Sequence, residues 1–312
     1  MQRNPKAHVK TKGLAWEKRG GERTAALIRR LGASSAAHVS GGLSQNIPSR
    51  AKGVESRMNG DIYLTSSITA AAKKAIQTGG GIQYTPPAHE NISFTFLPVK
   101  RFFGRFGRKV YAAPDVPSWF AYSRRRGLED VKFLCPVAVE NRELLGFANT
   151  AQTCILCFFD DGRATCFTSG WYTDRQKNMW DIVYTEQEYS VPPAKKPRFA
   201  NNLDSFRKAL LEIQDFAVAI GCEGFANTFE EARKILEGGD IKRTPVMPEL
   251  PELNLRLFEA AGKADVFHAM GSWNDSPPYM ASEKGLEEEF DRVSEELLKN
   301  IRLAVLYAVN EW

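Results

Sequence analysis

The spacing of hydrophobic residues is most regular in the last third of the chain, where it predicts four helices. Hydrophobic residues recur there at the intervals of a helix with one buried face. The predicted helices cover residues 203–220, 229–236, 250–270 and 285–310. Residues 301–309 are hydrophobic almost all round, so we expect the last helix to lie at the centre of a helical domain formed by residues 201–312.

Residues 91–190 alternate between hydrophobic and polar positions over short stretches, which predicts β-strands. The clearest pair flanks Asp160-Asp161-Gly162-Arg163, and an Asp-Gly turn predicts a hairpin. A two-residue turn there would place Cys157 opposite Cys166. We therefore predict a small antiparallel β-sheet, followed by a linker at residues 191–200, which are rich in proline and basic residues.

Residues 1–90 contain many glycine, serine, threonine and asparagine residues and have no wide hydrophobic stripe. This composition predicts a weakly ordered head that orders on a partner. Within it we expect short helices at residues 22–31 and 68–77, the second capped by Ser66 or Ser67. The whole chain is thus predicted to be α+β, with a basic, partly disordered head, a small antiparallel sheet and an α-helical C-terminal domain.

The net charge of +5 hides a steep gradient along the chain. Residues 1–126 carry 22 Lys and Arg against 6 Asp and Glu, whereas residues 201–312 carry 12 against 21. A basic end suggests contact with a polyanion, although the two ends could instead attract each other. The sequence has no long hydrophobic run and no hydrophobic centre of a signal peptide near its start, so we expect a cytoplasmic protein that does not bind membranes.

Basic residues are densest between Lys100 and Arg126, where seven aromatic residues lie among eight cations. Cations neutralise phosphates and rings stack on bases, which is what single-stranded nucleic acid requires of its binding site. The residues that we expect to form this nucleic-acid site are Arg101, Phe103, Arg105, Phe106, Arg108, Lys109, Arg124, Arg125 and Arg126. Trp119 is a further candidate for stacking. The alternative is that the rings belong to the core of short strands while the arginines point to water.

Candidate catalytic residues are few. Cys154 and Cys157 have the spacing of half a zinc site, but positions three apart in a strand point to opposite faces, so we predict no metal. No phosphate-binding glycine loop is present, and we predict no cofactor. His268 follows Asp265 by one turn of a predicted helix, with Asp275 close behind, and a carboxylate can orient an imidazole as a general base. His268 also continues a hydrophobic stripe, which favours a structural role.

Two short strings resemble parts of known proteins. Small uncharacterised proteins of phages and plasmids are similar to the first, Gly170-Trp171-Tyr172-Thr173 with Arg175 and Asn178. Uncharacterised bacterial helical domains are similar to the second, Gly271-Ser272-Trp273-Asn274-Asp275 before a long helix. The resemblance implies a bacterial or mobile-element origin and no particular activity.

These observations favour a non-enzymatic protein that binds nucleic acid, with single strands preferred, through the basic and aromatic residues 100–126. A first alternative is a protein-interaction or immunity-type module whose acidic helical domain binds a basic protein partner. A second alternative is an enzyme with a site near His268.

Overall fold

A computed structural model describes residues 58–98, 110–138, 153–174, 178–189, 196–241, 247–268 and 271–312. These residues form seven helices and six strands, which confirms the predicted combination of α and β structure. The helices are α1 (Gly60–Thr78), α2 (Val116–Arg125), α3 (Leu203–Ala219), α4 (Glu223–Leu236), α5 (Glu252–Ala264), α6 (Ser276–Ser282) and α7 (Glu287–Asn310). The strands are β1 (Glu90–Thr95), β2 (Ala112–Ala113), β3 (Leu128–Leu134), β4 (Cys154–Phe159), β5 (Ala164–Asp174) and β6 (Met179–Glu188). None of the helices in these ranges is long and apolar enough to cross a membrane.

The six strands form one sheet in the order β2-β1-β6-β5-β4-β3. Neighbouring strands are antiparallel except β1 and β6, which run parallel. The sheet is therefore mixed, and our prediction of a small, purely antiparallel sheet is corrected. An antiparallel hairpin can be recognised from its turn, whereas β1 and β6 are far apart in the chain and no local signal announces their pairing.

The β4–β5 hairpin forms where the sequence predicts it, but its loop has three residues instead of two. Gly162 adopts a φ of 79° and donates its N–H to the carbonyl of Phe159 at 3.0 Å, which is typical of a turn followed by a bulge. The extra residue shifts the register by one, so Cys157 lies opposite Thr165. Our prediction that Cys157 faces Cys166 is wrong, because the two thiols now point to opposite faces of the sheet.

Helix α1 lies in the part of the chain that we predicted to be weakly ordered. It begins at Asn59, whose side chain accepts the N–H groups of the first turn, and it ends at Gly79, as predicted. Ser66 and Ser67, which we expected to cap a shorter helix, instead bond to carbonyls three residues earlier inside α1. The helix is buried along most of its length, so this part of the predicted head belongs to the core.

The C-terminal helices overlap the stretches that the hydrophobic spacing predicts, although α4 begins earlier than predicted, at Glu223. Helix α5 ends at Ala264, so His268 lies beyond the helix and not on it. The short helices α2 and α6 were not predicted, and each has proline in its first turn. Proline is compatible with that position because the first N–H groups of a helix have no partner within the helix.

The sheet and the helical region share buried contacts. The large core around α7 includes Met58 and Ile62 from the start of α1, and Phe133 from β3. At the end of α7 the side-chain amide of Asn310 bonds to both the N–H and the carbonyl of Phe133, at 2.8 Å each. It thereby satisfies backbone groups of β3 at the edge of the sheet. The division of the chain at residues 191–200 stays a prediction.

Candidate functional site

Three of the nine predicted nucleic-acid-binding residues lie in the part of the chain that the structure describes. Arg124 and Arg125 form the last turn of α2, and Arg126 is its C-cap. The other six, Arg101, Phe103, Arg105, Phe106, Arg108 and Lys109, lie outside the described residues. The N–H of Phe96 donates to the carbonyl of Tyr111 at 2.9 Å, so the described residues on both sides of positions 99–109 meet at one edge of the sheet.

Tyr111 and Tyr122 connect this edge to α2. Their rings stack with centroids 4.0 Å apart and planes at 21°, and the ring of Phe96 packs against both. The guanidinium of Arg125 lies 5.6 Å from the centre of the Tyr122 ring, within the range of a cation–π contact. Two parts of the basic and aromatic stretch that are separate in sequence therefore come together at this stack.

Arg124 and Arg125 are both exposed. Arg124 donates to the carbonyl of Leu128, which is a neutral acceptor and leaves the charge of the guanidinium unbalanced. Within the described ranges neither arginine forms an ion pair with a carboxylate. Two cations thus lie at the end of α2, where the helix dipole favours positive charge, and they remain accessible to an anion.

Arg126 has a different environment. Its Nη1 lies 2.8 and 2.9 Å from the two carboxylate oxygens of Glu186, which is buried. The hydroxyl of Thr165 and the N–H of Leu97 donate to the same carboxylate, each at 2.9 Å. The guanidinium also packs over the ring of Phe159, 5.1 Å from its centre. The charge of Arg126 is therefore balanced inside the fold.

Trp119, which we expected to stack on bases, is fully buried. Its ring stacks on Phe94 with centroids 4.8 Å apart, under the sheet face that α2 covers. Phe120 is buried beside it. The prediction of base stacking is therefore wrong for Trp119, and the alternative that rings of this stretch belong to the core holds for these two.

Cys154 and Cys157, the two cysteines with the spacing of half a metal site, are buried thiols whose surroundings oppose ionisation. All five cysteines of the chain are free, and Cys154 and Cys157 lie in core clusters on opposite faces of β4. A hydrogen bond with Cys166, together with burial, raises the pKa of Cys154, and burial raises the pKa of Cys157. A thiol with a raised pKa is a poor nucleophile near neutral pH. No group of three or more His, Cys, Asp or Glu in the described part of the chain could hold a metal ion.

A second candidate site is a set of charged and polar side chains between the start of α1, the end of α5 and the middle of α7. We call Asp265, His268, Arg302 and Cys135 the buried polar cluster. The Nε2 atom of His268 lies 3.0 Å from Oδ1 and 3.1 Å from Oδ2 of Asp265, so the pair that the sequence suggested does form. Asn59 donates its N–H to the same carboxylate at 3.1 Å.

Asp265 shows how the charges of this cluster act on one another. Burial acts to raise the pKa of Asp265, but the charges of His268 and Arg302, together with hydrogen bonds, outweigh burial and hold this pKa below its usual range. Burial raises the pKa of Cys135 to about 12, although the charge of Arg302 opposes the rise. The positive charge of Arg302 therefore acts on both groups.

Asp275, which we considered as part of a site with His268, lies elsewhere. Its carboxylate accepts the N–H groups of Gly271 and Ser272, the second at 3.0 Å, and so closes the turn before α6. Short polar side chains commonly stabilise turns in this way. The structure therefore joins His268 to Asp265 and gives Asp275 the role of a turn residue.

Asp61 and Arg302 are two of the buried charged residues that were missed at the level of sequence. Asp61 accepts hydrogen bonds from the hydroxyls of Thr153, at 2.8 Å, and Ser169, and from the indole of Trp171. Its signal was a carboxylate in the first turn of a helix, two residues after the capping Asn59. Arg302 had a clearer signal, because it is the one charged residue in the otherwise hydrophobic stretch 301–309.

No protein-family model matches the chain, and no curated protein or solved structure matches it either. The resemblance of two strings to phage, plasmid and bacterial proteins stays a prediction. Function is therefore inferred from the geometry of the two candidate sites.

Proposed function

We propose that the protein binds nucleic acid, preferably single-stranded, and that it does so without catalysing a reaction. The observation that carries this proposal is the stack of Tyr111 on Tyr122 beside Arg125. This stack lies at the sheet edge on which both described ends of positions 99–109 converge, and those positions contain five cations and three phenylalanines. Cytoplasmic location is part of the same proposal.

The charge of this region suits a phosphate backbone. Between residues 97 and 126 the one acidic residue is Asp115. Its side chain accepts the N–H of Ser118 at 2.7 Å and caps α2, so it serves the start of the helix and not its basic end. Cations that neutralise phosphates release counterions, and this release supplies most of the affinity of non-specific binding.

The aromatic residues account for the preference for single strands. Tyr111 and Tyr122 are partly exposed, so part of the stack faces solvent. A base that is free of its complement can stack on such a ring, and stacking contributes roughly 1–3 kcal/mol per base. In a duplex the faces of the bases are already occupied.

The protein-partner alternative has less support, because acids of the helical region are paired within that region. Arg292 forms ion pairs with Glu212, at 3.2 Å, and with Glu289, at 2.7 Å. Glu230 pairs with Lys234 at 2.8 Å. These pairs reduce the negative field that a basic partner would meet.

The test is the anisotropy of labelled oligo(dT), an RNA of mixed sequence and duplex DNA, titrated at two salt concentrations. We expect Arg124→Ala with Arg125→Ala to weaken binding of all strands and to flatten the salt dependence by about 0.7 per lost phosphate contact. The matched control is Arg207→Ala with Lys208→Ala, two adjacent exposed cations on α3. Equal weakening in both double variants, or no binding to DNA or RNA at low salt, would contradict the proposal.

The residues outside the described ranges are tested in the same assay. We expect Arg101→Ala, Arg105→Ala and Arg108→Ala to weaken binding without changing sequence preference. Phe106→Ala should cost roughly 1–3 kcal/mol of binding if a base stacks there. A melting curve of each variant separates lost binding from lost folding. If Phe106→Ala lowers the melting temperature and not the affinity, Phe106 is a core residue.

A further inference from the structure

Arg302 is the least satisfied charged side chain among the described residues. It is 1% exposed and lies near the start of the hydrophobic half of α7. Its Nε and Nη1 atoms are buried and have no hydrogen-bond acceptor. An unpaired charged donor in the interior is expensive, because the water that it has lost is not replaced. Proteins keep few such groups, and each calls for a physical reason.

The surroundings of Arg302 compensate its charge only in part. Asp265 and Cys135 are near enough for Arg302 to influence their pKa values, but neither accepts a hydrogen bond from it. The carboxylate of Asp265 faces His268 and the N–H of Asn59 instead. The negative charge of Asp265 therefore acts on the guanidinium, but the Nε and Nη1 atoms still lack hydrogen-bond acceptors.

We propose that the buried polar cluster binds a small oxyanion, a carboxylate or a phosphate, through the N–H groups of Arg302. Guanidinium donors match the oxygens of both anions, and a charge-assisted hydrogen bond is about twice as strong as a neutral one. The anion would supply the acceptors that the fold does not. Burial of Arg302 excludes a polymer such as nucleic acid from this site, so the inference is independent of the proposed function.

His268 is the most exposed side chain of the buried polar cluster. Its side chain is 13% exposed, whereas the side chain of Asp265, against which it packs, is fully buried. An imidazole held by a buried carboxylate has a fixed orientation, and when protonated it adds a positive charge to the cluster. Asp265 has the opposite effect on an anion, because its negative charge repels the ligand while it orients His268.

The experiment is thermal unfolding of the full chain in inorganic phosphate, in acetate and in chloride at matched ionic strength. A ligand that binds the folded state raises the melting temperature with its concentration. We expect phosphate or acetate to do so beyond chloride, and whichever is more effective identifies the class of anion. Arg302→Met should abolish this shift, while Arg292→Met, an exposed arginine on the same helix, should retain it.

Two further variants keep the outcome decisive. Arg124→Ala with Arg125→Ala should retain the anion shift, which separates this site from the nucleic-acid surface. Asp265→Asn keeps Arg302 and removes the repelling charge, so we expect roughly tenfold tighter anion binding. If Arg302→Met does not fold, Asp265→Asn still tests whether an anion binds at the buried polar cluster. The proposal is overturned if chloride stabilises the protein as well as the oxyanions do, if Arg302→Met keeps the shift, or if Asp265→Asn binds no more tightly.

Discussion

Arg126 and Arg302 are both largely removed from solvent, but the fold treats them in opposite ways. Arg126 meets a buried carboxylate at 2.8 Å and lies over three aromatic rings. Arg302 is even more deeply buried, and two of its nitrogens have no acceptor. The first arginine is explained by the residues around it, whereas the second is not. The difference separates a charge whose hydrogen bonds the fold supplies from a charge whose Nε and Nη1 donors the fold leaves unused.

The comparison also changes how the basic stretch is interpreted. Arg124, Arg125 and Arg126 are consecutive, and their sequence gives no reason to distinguish them. Two of them are exposed at the end of α2, and the third turns inward to Glu186. A change at Arg126 would therefore affect folding first, and a loss of nucleic-acid binding in such a variant would say little about phosphate contacts.

The largest effect that we expect is the loss of the buried ion pair. Glu186→Gln leaves Arg126 without a countercharge in a buried position, and breaking such a pair typically costs about 3–5 kcal/mol. The measurement is the free energy of unfolding in urea. Glu289→Gln is the matched control, because Glu289 pairs with Arg292 at the surface, where an ion pair contributes at most about 1 kcal/mol. Equal losses in the two variants would show that the Arg126–Glu186 pair is not structural.

A smaller effect is expected at Gly127, the residue after Arg126. Its φ is 88°, and a Cβ there would overlap the side chain of Asp160. Gly162 has a similar φ of 79°, but a Cβ there would meet open space. Gly162→Ala should cost roughly 1–2 kcal/mol through the backbone alone, and Gly127→Ala more because Asp160 must also move. Melting curves of the two variants test which substitution lowers the melting temperature more. A larger drop for Gly162→Ala than for Gly127→Ala would contradict the close contact between Gly127 and Asp160.

Sequence pattern predicted the elements whose signals are local. Hydrophobic spacing located α3 and α7, and the Asp-Gly turn located the β4–β5 hairpin, although one loop residue decided its register. Helix α1 was only partly predicted, because its buried face contains serine and threonine, whose hydroxyls bond back to the helix. The spacing of hydrophobic residues along a helix does not show which hydrogen-bond partners will allow serine and threonine to be buried.

The two candidate sites show the same limit. The contact between His268 and Asp265 could be predicted because the residues are three apart in the chain. The partners of Arg126 could not, since Glu186 lies 60 residues further along the chain. The stack of Tyr111 on Tyr122 depends on β2 and α2 meeting at one edge, which no motif announces. A site whose residues come from distant segments of the chain can be recognised only when the fold is known.

The smallest effect that we expect is a difference in pH dependence between two buried aspartates, Asp61 and Asp265. Burial raises the pKa of Asp61 above the usual 3.8, although hydrogen bonds from Ser169 and Thr153 oppose the rise. The charges of His268 and Arg302 overcome burial and hold the pKa of Asp265 below 3.8. The two carboxyls therefore affect stability in opposite directions as pH changes.

A raised pKa means that the folded state holds the proton more tightly, so the contribution of Asp61 is complete below pH 3.8 and is lost as pH rises through the folded pKa. A lowered pKa means the reverse, so the contribution of Asp265 is present above pH 3.8 and is lost as pH falls through the folded pKa. As pH rises, the free energy of unfolding of the wild type should fall relative to that of Asp61→Asn. It should rise relative to that of Asp265→Asn. Urea unfolding of the three proteins at several pH values measures both slopes. Slopes of the same sign would mean that the pKa of one carboxyl is not shifted as its surroundings predict, either because burial does not dominate at Asp61 or because the charges of His268 and Arg302 do not overcome burial at Asp265.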